Sequence, residues 1–93
     1  MITSVRGRLL GEPDSDGVIV EVGGIGLRVH ATAAAERSAL AAREGVFLHT
    51  HLAVREDALT LYGFADTGER ELFLLLLSVS GLGPKTALTL LSS

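Results

Sequence analysis

The residues best suited to binding chemistry form a glycine-rich segment near the end of the chain. Residues 81–86 read Gly-Leu-Gly-Pro-Lys-Thr and stand between two apolar runs, which we interpret as helices joined by a tight turn. The backbone N–H groups and the dipole of a helix start favour an anion, and glycine lets a phosphate approach the backbone closely. Lys85, the only lysine of the chain, adds a cation there. The pattern predicts a helix-hairpin-helix that binds a nucleic-acid phosphate without reading bases.

Residues 81–86 could also be a simple connection without a ligand, because glycine turns between helices often only join them. Residues 24–26, Gly-Ile-Gly, repeat the pattern, but valines flank them and no helix follows, so they predict a hairpin turn between strands. A P-loop has the pattern Gly-x-x-x-x-Gly-Lys-Ser/Thr. Residues 81–86 are too short to match it.

Composition limits the class of protein. The 93 residues suit one small domain, or one domain and a piece of another, and 47% of them are hydrophobic, with a mean hydropathy of +0.42. We therefore expect part of the apolar surface to face another subunit or the remainder of a longer protein. The longest apolar run, Leu72 to Leu77, is too short to span a bilayer, and the N-terminus lacks a signal pattern. Without cysteines, disulfides and thiolate zinc sites are excluded, and we expect a cytoplasmic protein.

The charge balance argues against a general nucleic-acid binder, which is usually basic. The net charge is −3 and the isoelectric point about 5.5. Any DNA binding must therefore be local and depend on a few well-placed amides and cations.

The elements that would position these residues divide the chain in two. Residues 1–64 predict five short strands and one helix, the order of an OB-fold barrel, with an SH3-like barrel as the competing fold. The predicted strands are Ile2–Leu10, Val18–Val22, Leu27–His30, Val46–Ala53 and Leu59–Phe64, and the helix runs from Ala33 to about Leu40 with Thr32 as its N-cap. Residues 65–93 are interpreted as the start of a helical domain.

The helical part begins at a capping box, Asp66-x-x-Glu69. The first predicted helix runs from about Glu69 to Val79, and its apolar residues cover most of its circumference, so we expect it to be buried on several sides. The second runs from Lys85 to Leu91 and is too short to cover that surface. We therefore expect the chain to be the N-terminal piece of a longer protein.

Two further groups of residues could carry chemistry. Arg55, Glu56 and Asp57 fall between the fourth and fifth strands, at a predicted hairpin tip; they fit a solvated turn, a negative prong that repels phosphates, or a Mg²⁺ site. His49 and His51 share one face of a strand and could begin a zinc site, but no third ligand is apparent. The sequence does not suggest a catalytic nucleophile, because it has no cysteine and no serine with a clear histidine partner.

The aromatic residues do not predict a stacking platform for single strands. OB folds often bind nucleic acids through exposed aromatics. Phe47, Tyr62 and Phe64 are instead assigned to the core or to an interface.

Several segments, in this order and spacing, resemble the N-terminal part of the RuvA family of bacterial Holliday-junction recognition subunits. They are Met1-Ile2 with Arg6-Gly7, residues 21–26 (Glu-Val-Gly-Gly-Ile-Gly), 54–58 (Val-Arg-Glu-Asp-Ala), 61–64 (Leu-Tyr-Gly-Phe), Leu72-Phe73 and 80–85 (Ser-Gly-Leu-Gly-Pro-Lys). The resemblance covers essentially all 93 residues. Leu27 departs from it, since an aromatic residue often follows the Gly-x-Gly turn.

The resemblance implies a fold and a function. It implies an OB-fold domain followed by a domain with two helix-hairpin-helix motifs, of which only the first falls in these residues. A linker and a small C-terminal domain that binds the hexameric ATPase RuvB would follow. The implied protein is a homotetramer or octamer that holds four-way junction DNA during recombination and repair. RuvB supplies the ATP hydrolysis and RuvC cuts the junction, so no activity, cofactor or metal is expected here.

The resemblance also assigns roles to residues. Glu56 and Asp57 match an acidic pin at the junction centre, with the basic Arg55 beside it. Phosphate binding falls to Gly81, Leu82, Gly83, Lys85 and Thr86.

Overall fold

The first 64 residues form a closed barrel of five strands. The computed structural model describes residues 1–93, the side chain of Ser80 excepted. The strands are β1 (Ser4–Asp14), β2 (Gly17–Val22), β3 (Ile25–Ala31), β4 (Val46–Val54) and β5 (Leu59–Phe64). They pair in the order β1-β2-β3-β5-β4, with β4 returning to β1. Only β3 and β5 run parallel, and the whole is consistent with the predicted OB fold.

Alternating valines and leucines fill the barrel, because every second strand residue points inward. The helix α1 (Ala33–Ala42), followed by a 3₁₀ turn over Arg43–Gly45, packs against this interior between β3 and β4. Its Ala35 and Ala39 are fully buried, and such small side chains let the helix lie close to the strands. The buried core of the barrel comprises Val5, Leu9, Val18, Val20, Val29, Val46, Leu48 and Leu61 with these two alanines.

The turns differ in detail from the predicted ones. β1 continues to Asp14, past the predicted end at Leu10, because a register shift between Leu10 and Asp14 absorbs the intervening residues. The β2–β3 hairpin is confirmed, but it turns at Gly23 and Gly24, whose φ angles are +57° and +88°.

Two helices follow the barrel. α2 spans Thr67–Ser80 and α3 spans Pro84–Leu91. The predicted cap of α2 is confirmed, since the Asp66 carboxylate accepts a hydrogen bond from the Glu69 N–H at 2.8 Å, although the helix begins two residues before the predicted Glu69. Phe73 is fully buried, with its ring centroid 5.0 Å from that of Phe64 and 5.2 Å from that of Tyr62. With Ala87 of α3, these rings form a second, smaller core outside the barrel.

The expectation that α2 is buried on several sides is wrong for this chain. Leu72, Leu75 and Val79 are 47%, 54% and 75% exposed, because α3 and the barrel cover only the Phe73 side of the helix. Within the described part of the chain, no helix combines the length and apolar character needed to cross a bilayer.

Candidate nucleic-acid interface

The turn between α2 and α3 exposes the start of a helix. Gly81 ends α2 in the left-handed conformation, with φ +67°, and Gly83 is the N-cap of α3. Gly83 has no side chain to cap the helix, and Pro84 has no N–H to donate. The first backbone bond of α3 runs from the Ala87 N–H to the Gly83 carbonyl, at 3.1 Å. The N–H groups of Lys85 and Thr86 precede that bond and are the donors that the helix start can offer to an anion.

The backbone of this turn is open to a large ligand. A Cβ built on Gly81 or Gly83 meets no atom within 4 Å. Both glycines, Lys85 and Thr86 are exposed, whereas Leu82 is half-buried. The five predicted phosphate-binding residues therefore lie in the turn and in the first turn of α3, and all but Leu82 are exposed.

The Lys85 ammonium group is not neutralised within the described residues, where no ion pair or hydrogen bond reaches it. Three arginines of the barrel do have carboxylate partners, in the pairs Arg8–Glu21, Arg28–Asp14 and Arg43–Glu12. Lys85 lines a cleft between α3 and the barrel, together with Asp16, His30 and Tyr62. Its charge is therefore available to a ligand at the mouth of α3.

The predicted acidic tip lies at the end of the β4–β5 hairpin. The Arg55 N–H donates to the Ala58 carbonyl at 2.9 Å, and this bond closes a short loop. Arg55, Glu56 and Asp57 are all exposed. In the described chain no hydrogen bond or ion pair engages their side chains, and none joins this loop to residues 81–86. The Lys85 ammonium group and the Glu56 and Asp57 carboxylates thus lie on separate elements and form no ion pair with each other.

His49 and His51 pack against aromatic rings. No group of three or more metal-ligating side chains occurs among the described residues. The His49 ring lies edge-on to Phe47, at 5.0 Å, and His51 lies 6.2 Å from Phe73. Partial burial lowers the pKa of His51, and the nearby N-terminal ammonium and Arg70 lower it further. The Mg²⁺ and zinc alternatives thus gain no support from this geometry.

Phe47 has a partner that the sequence did not indicate. The Arg6 guanidinium carbon lies 4.7 Å from the centroid of its ring, a cation–π contact on the outer face of the barrel. The two residues are opposite each other in the β1–β4 register. Only the strand pairing reveals this neighbourhood, since the residues are far apart in the chain.

Comparison with known proteins identifies the family. A family model described as "RuvA N terminal domain" matches residues 1–63. The chain belongs to the RuvA N-terminal domain family. Among relatives named "Holliday junction branch migration complex subunit RuvA", that of Chloroflexus aggregans is 53% identical over 93 residues, covering 100% of this chain and 47% of the relative. That of Rubrobacter xylanophilus is 46% identical over 93 residues, with the same coverage of both chains. That of Mycobacterium leprae is 52% identical over 95 residues, covering 99% of this chain and 44% of the relative.

The match divides the candidate interface. This RuvA-family chain spans about half the length of the curated relatives it matches. The acidic hairpin lies inside the residues that the family model matches, and the 81–86 turn lies beyond them. The relatives, however, align over the turn as well.

Proposed function

We propose that this RuvA-family chain is the non-catalytic, structure-selective DNA-binding part of a subunit that recognises four-way junctions and supports branch migration. The observation that carries the proposal is the placement of oppositely charged, unpaired side chains on different elements, with Lys85 at a helix start and Glu56 and Asp57 on a hairpin tip. Identity of about half over the full chain to proteins named for the Holliday junction supports it.

The two sites act on phosphates in opposite directions. The 81–86 turn, acting as the first helix-hairpin-helix motif, binds the phosphates of a duplex arm through N–H groups and Lys85. Glu56 and Asp57 repel phosphates, so a continuous duplex across the acidic hairpin is disfavoured. At an open junction the strands diverge around the hairpin and this repulsion falls. Selectivity for the junction then comes from repulsion of the wrong ligand as well as attraction of the right one.

The remaining parts of the proposal concern the longer protein. Residues 1–64 form an OB-fold domain, and residues 65–93 begin a helical domain that continues beyond this chain. The subunits assemble as a homotetramer or octamer and couple to the RuvB ATPase, with RuvC acting on the same junction. These parts of the proposal rest on the family resemblance alone and add no chemistry to the residues described here.

Competition binding tests the proposal. The 93-residue chain is titrated against a fluorescent four-way junction at low salt, and unlabelled linear duplex of equal length is then added. Junction binding that survives excess duplex supports the proposal. Equal displacement by junction and duplex would instead indicate a general DNA-binding protein that uses the same turn.

The exposed face of α2 favours a second candidate, a protein-interaction scaffold without DNA binding. Leu72, Leu75 and Val79 form an apolar stripe there. In that case the glycines only turn the chain, and the folded protein binds no DNA at low salt while it retains an oligomer in ultracentrifugation. Any DNA binding through residues 81–86 contradicts this candidate.

A further inference from the structure

A single carboxylate joins the caps of two helices. The Glu69 Oε1 atom accepts a hydrogen bond from the Thr32 hydroxyl at 2.8 Å and another from the Ala65 N–H at 2.8 Å. Thr32 is the N-cap of α1, and its hydroxyl oxygen in turn accepts from the Ala35 N–H at 3.1 Å. In an ordinary capping box the third helical residue bonds only the amide of its own N-cap. Here Glu69 reaches a residue 37 positions away and connects α2 to the helix of the barrel.

The end of α3 contacts the same place. The Ser92 hydroxyl oxygen accepts from the Ala33 N–H at 3.0 Å and donates to the Leu88 carbonyl at 3.0 Å. Ala33 is the first residue of α1. The start of α1 therefore holds both helices that flank the 81–86 turn, one through Glu69 and the other through Ser92.

These polar contacts constrain the orientation of the helices in addition to the small apolar core between the helices and the barrel. The second core contains three fully buried residues, Phe64, Phe73 and Ala87. Thr32 is fully buried as well, and its own N–H donates a hydrogen bond to the Gly63 carbonyl at 3.1 Å. A hydrogen bond in such a place is stronger than one in water and costs more to leave unmade.

On the barrel side the contact leads directly to the acidic hairpin. Gly63 belongs to β5, the strand that begins at Leu59 just after the hairpin loop. A continuous path of strand residues and hydrogen-bonded helix caps thus runs from the acidic tip to the helices on either side of the 81–86 turn. We propose that Glu69 and Ser92 are positioning residues that fix the 81–86 turn relative to the Glu56–Asp57 tip. The consequence for junction selectivity rests on the function proposed above.

The geometric part is tested by a distance measurement. Since the chain has no cysteine, spin labels on Ala58→Cys and Leu90→Cys report the distance between the hairpin loop and α3 by pulsed electron paramagnetic resonance. Both sites are exposed. We expect one narrow distance distribution in the otherwise unaltered chain. Glu69→Ala should broaden or shift it, and Ser92→Ala should do so independently.

Conservative and matched variants separate positioning from general damage. Glu69→Gln keeps an oxygen that can accept both hydrogen bonds and should restore the narrow distribution. Glu71→Ala removes an exposed acid from the same helix, and Ser78→Ala removes a hydroxyl that bonds only within α2, to the Leu75 carbonyl. Circular dichroism checks that each variant is folded. The proposal is overturned if Glu69→Ala and Ser92→Ala give the same mean and width as these two controls.

Binding separates this inference from the proposed function. We expect Glu69→Ala to lower the junction-to-duplex affinity ratio about fivefold, the factor equivalent to one net hydrogen bond, while duplex affinity is retained. Glu69→Gln should keep the ratio. If the unaltered chain shows no preference for the junction, the proposed function fails, and the distance measurement still decides the role of Glu69. A changed distance with an unchanged ratio would overturn the link between this geometry and selectivity.

Discussion

The backbone N–H of Arg55 lies 2.9 Å from the carbonyl oxygen of Ala58, and this bond closes the loop that carries Glu56 and Asp57. Directly beneath it, Val54 and Leu59 pair across β4 and β5. The loop is thus an extension of a regular ladder, and its two carboxylates project from a rigid base. Rigidity matters for repulsion, because a charge that can swing away from a phosphate excludes little.

Neutralising these carboxylates should weaken discrimination between DNA shapes. In Glu56→Gln with Asp57→Asn the loop keeps its size, and we expect tighter duplex binding and a smaller junction-to-duplex affinity ratio. Anisotropy titrations at two salt concentrations measure both, and the gain should shrink at high salt because screening already weakens the repulsion. Glu71→Gln is the matched control, an exposed acid on α2. An unchanged ratio in the double variant would remove the hairpin from the recognition mechanism.

Removing the Lys85 charge should weaken binding to every DNA shape alike. We expect Lys85→Ala to lower affinity for junction and duplex together and to reduce the slope of log affinity against log salt by about 0.9, one phosphate contact. Arg37→Ala is the control, since Arg37 is exposed on α1 and has no ion-pair partner among the described residues. If both variants change the slope equally, Lys85 has no specific contact.

Much of the fold follows from local patterns. Valine-rich alternation predicts β2 and β4 to within one residue at each end, since a strand that buries one face needs that alternation. Thr32 and Asp66 are recognisable as N-caps because their oxygens serve neighbours three residues away. Both glycine turns are predictable for the same reason, as the chain reversal is local.

Contacts between distant residues could not be predicted in the same way. The Glu69–Thr32 bond and the Arg6–Phe47 pair depend on which elements become neighbours in the fold. The capping box explains why Glu69 is at the third helical position, but not that its carboxylate would reach α1. The glycine turn and helix start predict an anion site at Lys85. For Glu56 the sequence left several interpretations open, and only the family resemblance favours the acidic pin, because exposed charges at turns are common in every class of protein.

Gly81 and Gly83, in the proposed phosphate-binding turn, should respond differently to alanine. Gly81 has φ +67°, where a Cβ is strained, so Gly81→Ala should lower the free energy of unfolding by about 1–2 kcal/mol. Gly83 has φ −70°, which alanine adopts freely, and its Cβ would meet no atom within 4 Å. Gly83→Ala should therefore cost less stability than Gly81→Ala, yet weaken DNA binding because its methyl group would lie where we propose that a phosphate approaches.

Urea unfolding and anisotropy on the same two variants check this contrast. Unchanged DNA affinity in Gly83→Ala would mean that the ligand does not approach this backbone. Unchanged stability in Gly81→Ala would mean that the turn relaxes at no cost.

Stability at mildly acidic pH should depend on His51. Partial burial holds the pKa of its imidazole below the ordinary 6.5, and the N-terminal ammonium and Arg70 act in the same direction. Below pH 6.5 the unfolded chain therefore binds a proton at this residue more readily than the folded chain does, so the free energy of unfolding falls as pH falls. The loss levels off once pH drops below the folded pKa. In His51→Gln this contribution is absent, and the dependence of unfolding free energy on pH should be shallower between 7 and 5.

Urea unfolding, followed by the fluorescence of Tyr62, the only tyrosine in a chain without tryptophan, measures this difference. The bonds from the Asp16 N–H and Arg28 lower the pKa of Asp14 in the folded chain, so this carboxylate adds a pH dependence of its own in more acidic solution. The range stays above pH 5 so that Asp14 is ionised in both the folded and the unfolded chain. Asp14 then contributes equally to both proteins, and the difference in slope belongs to His51. Parallel pH profiles for the two proteins would show that the imidazole is as easily protonated in the fold as in water, against the partial burial that its position beside Phe73 imposes.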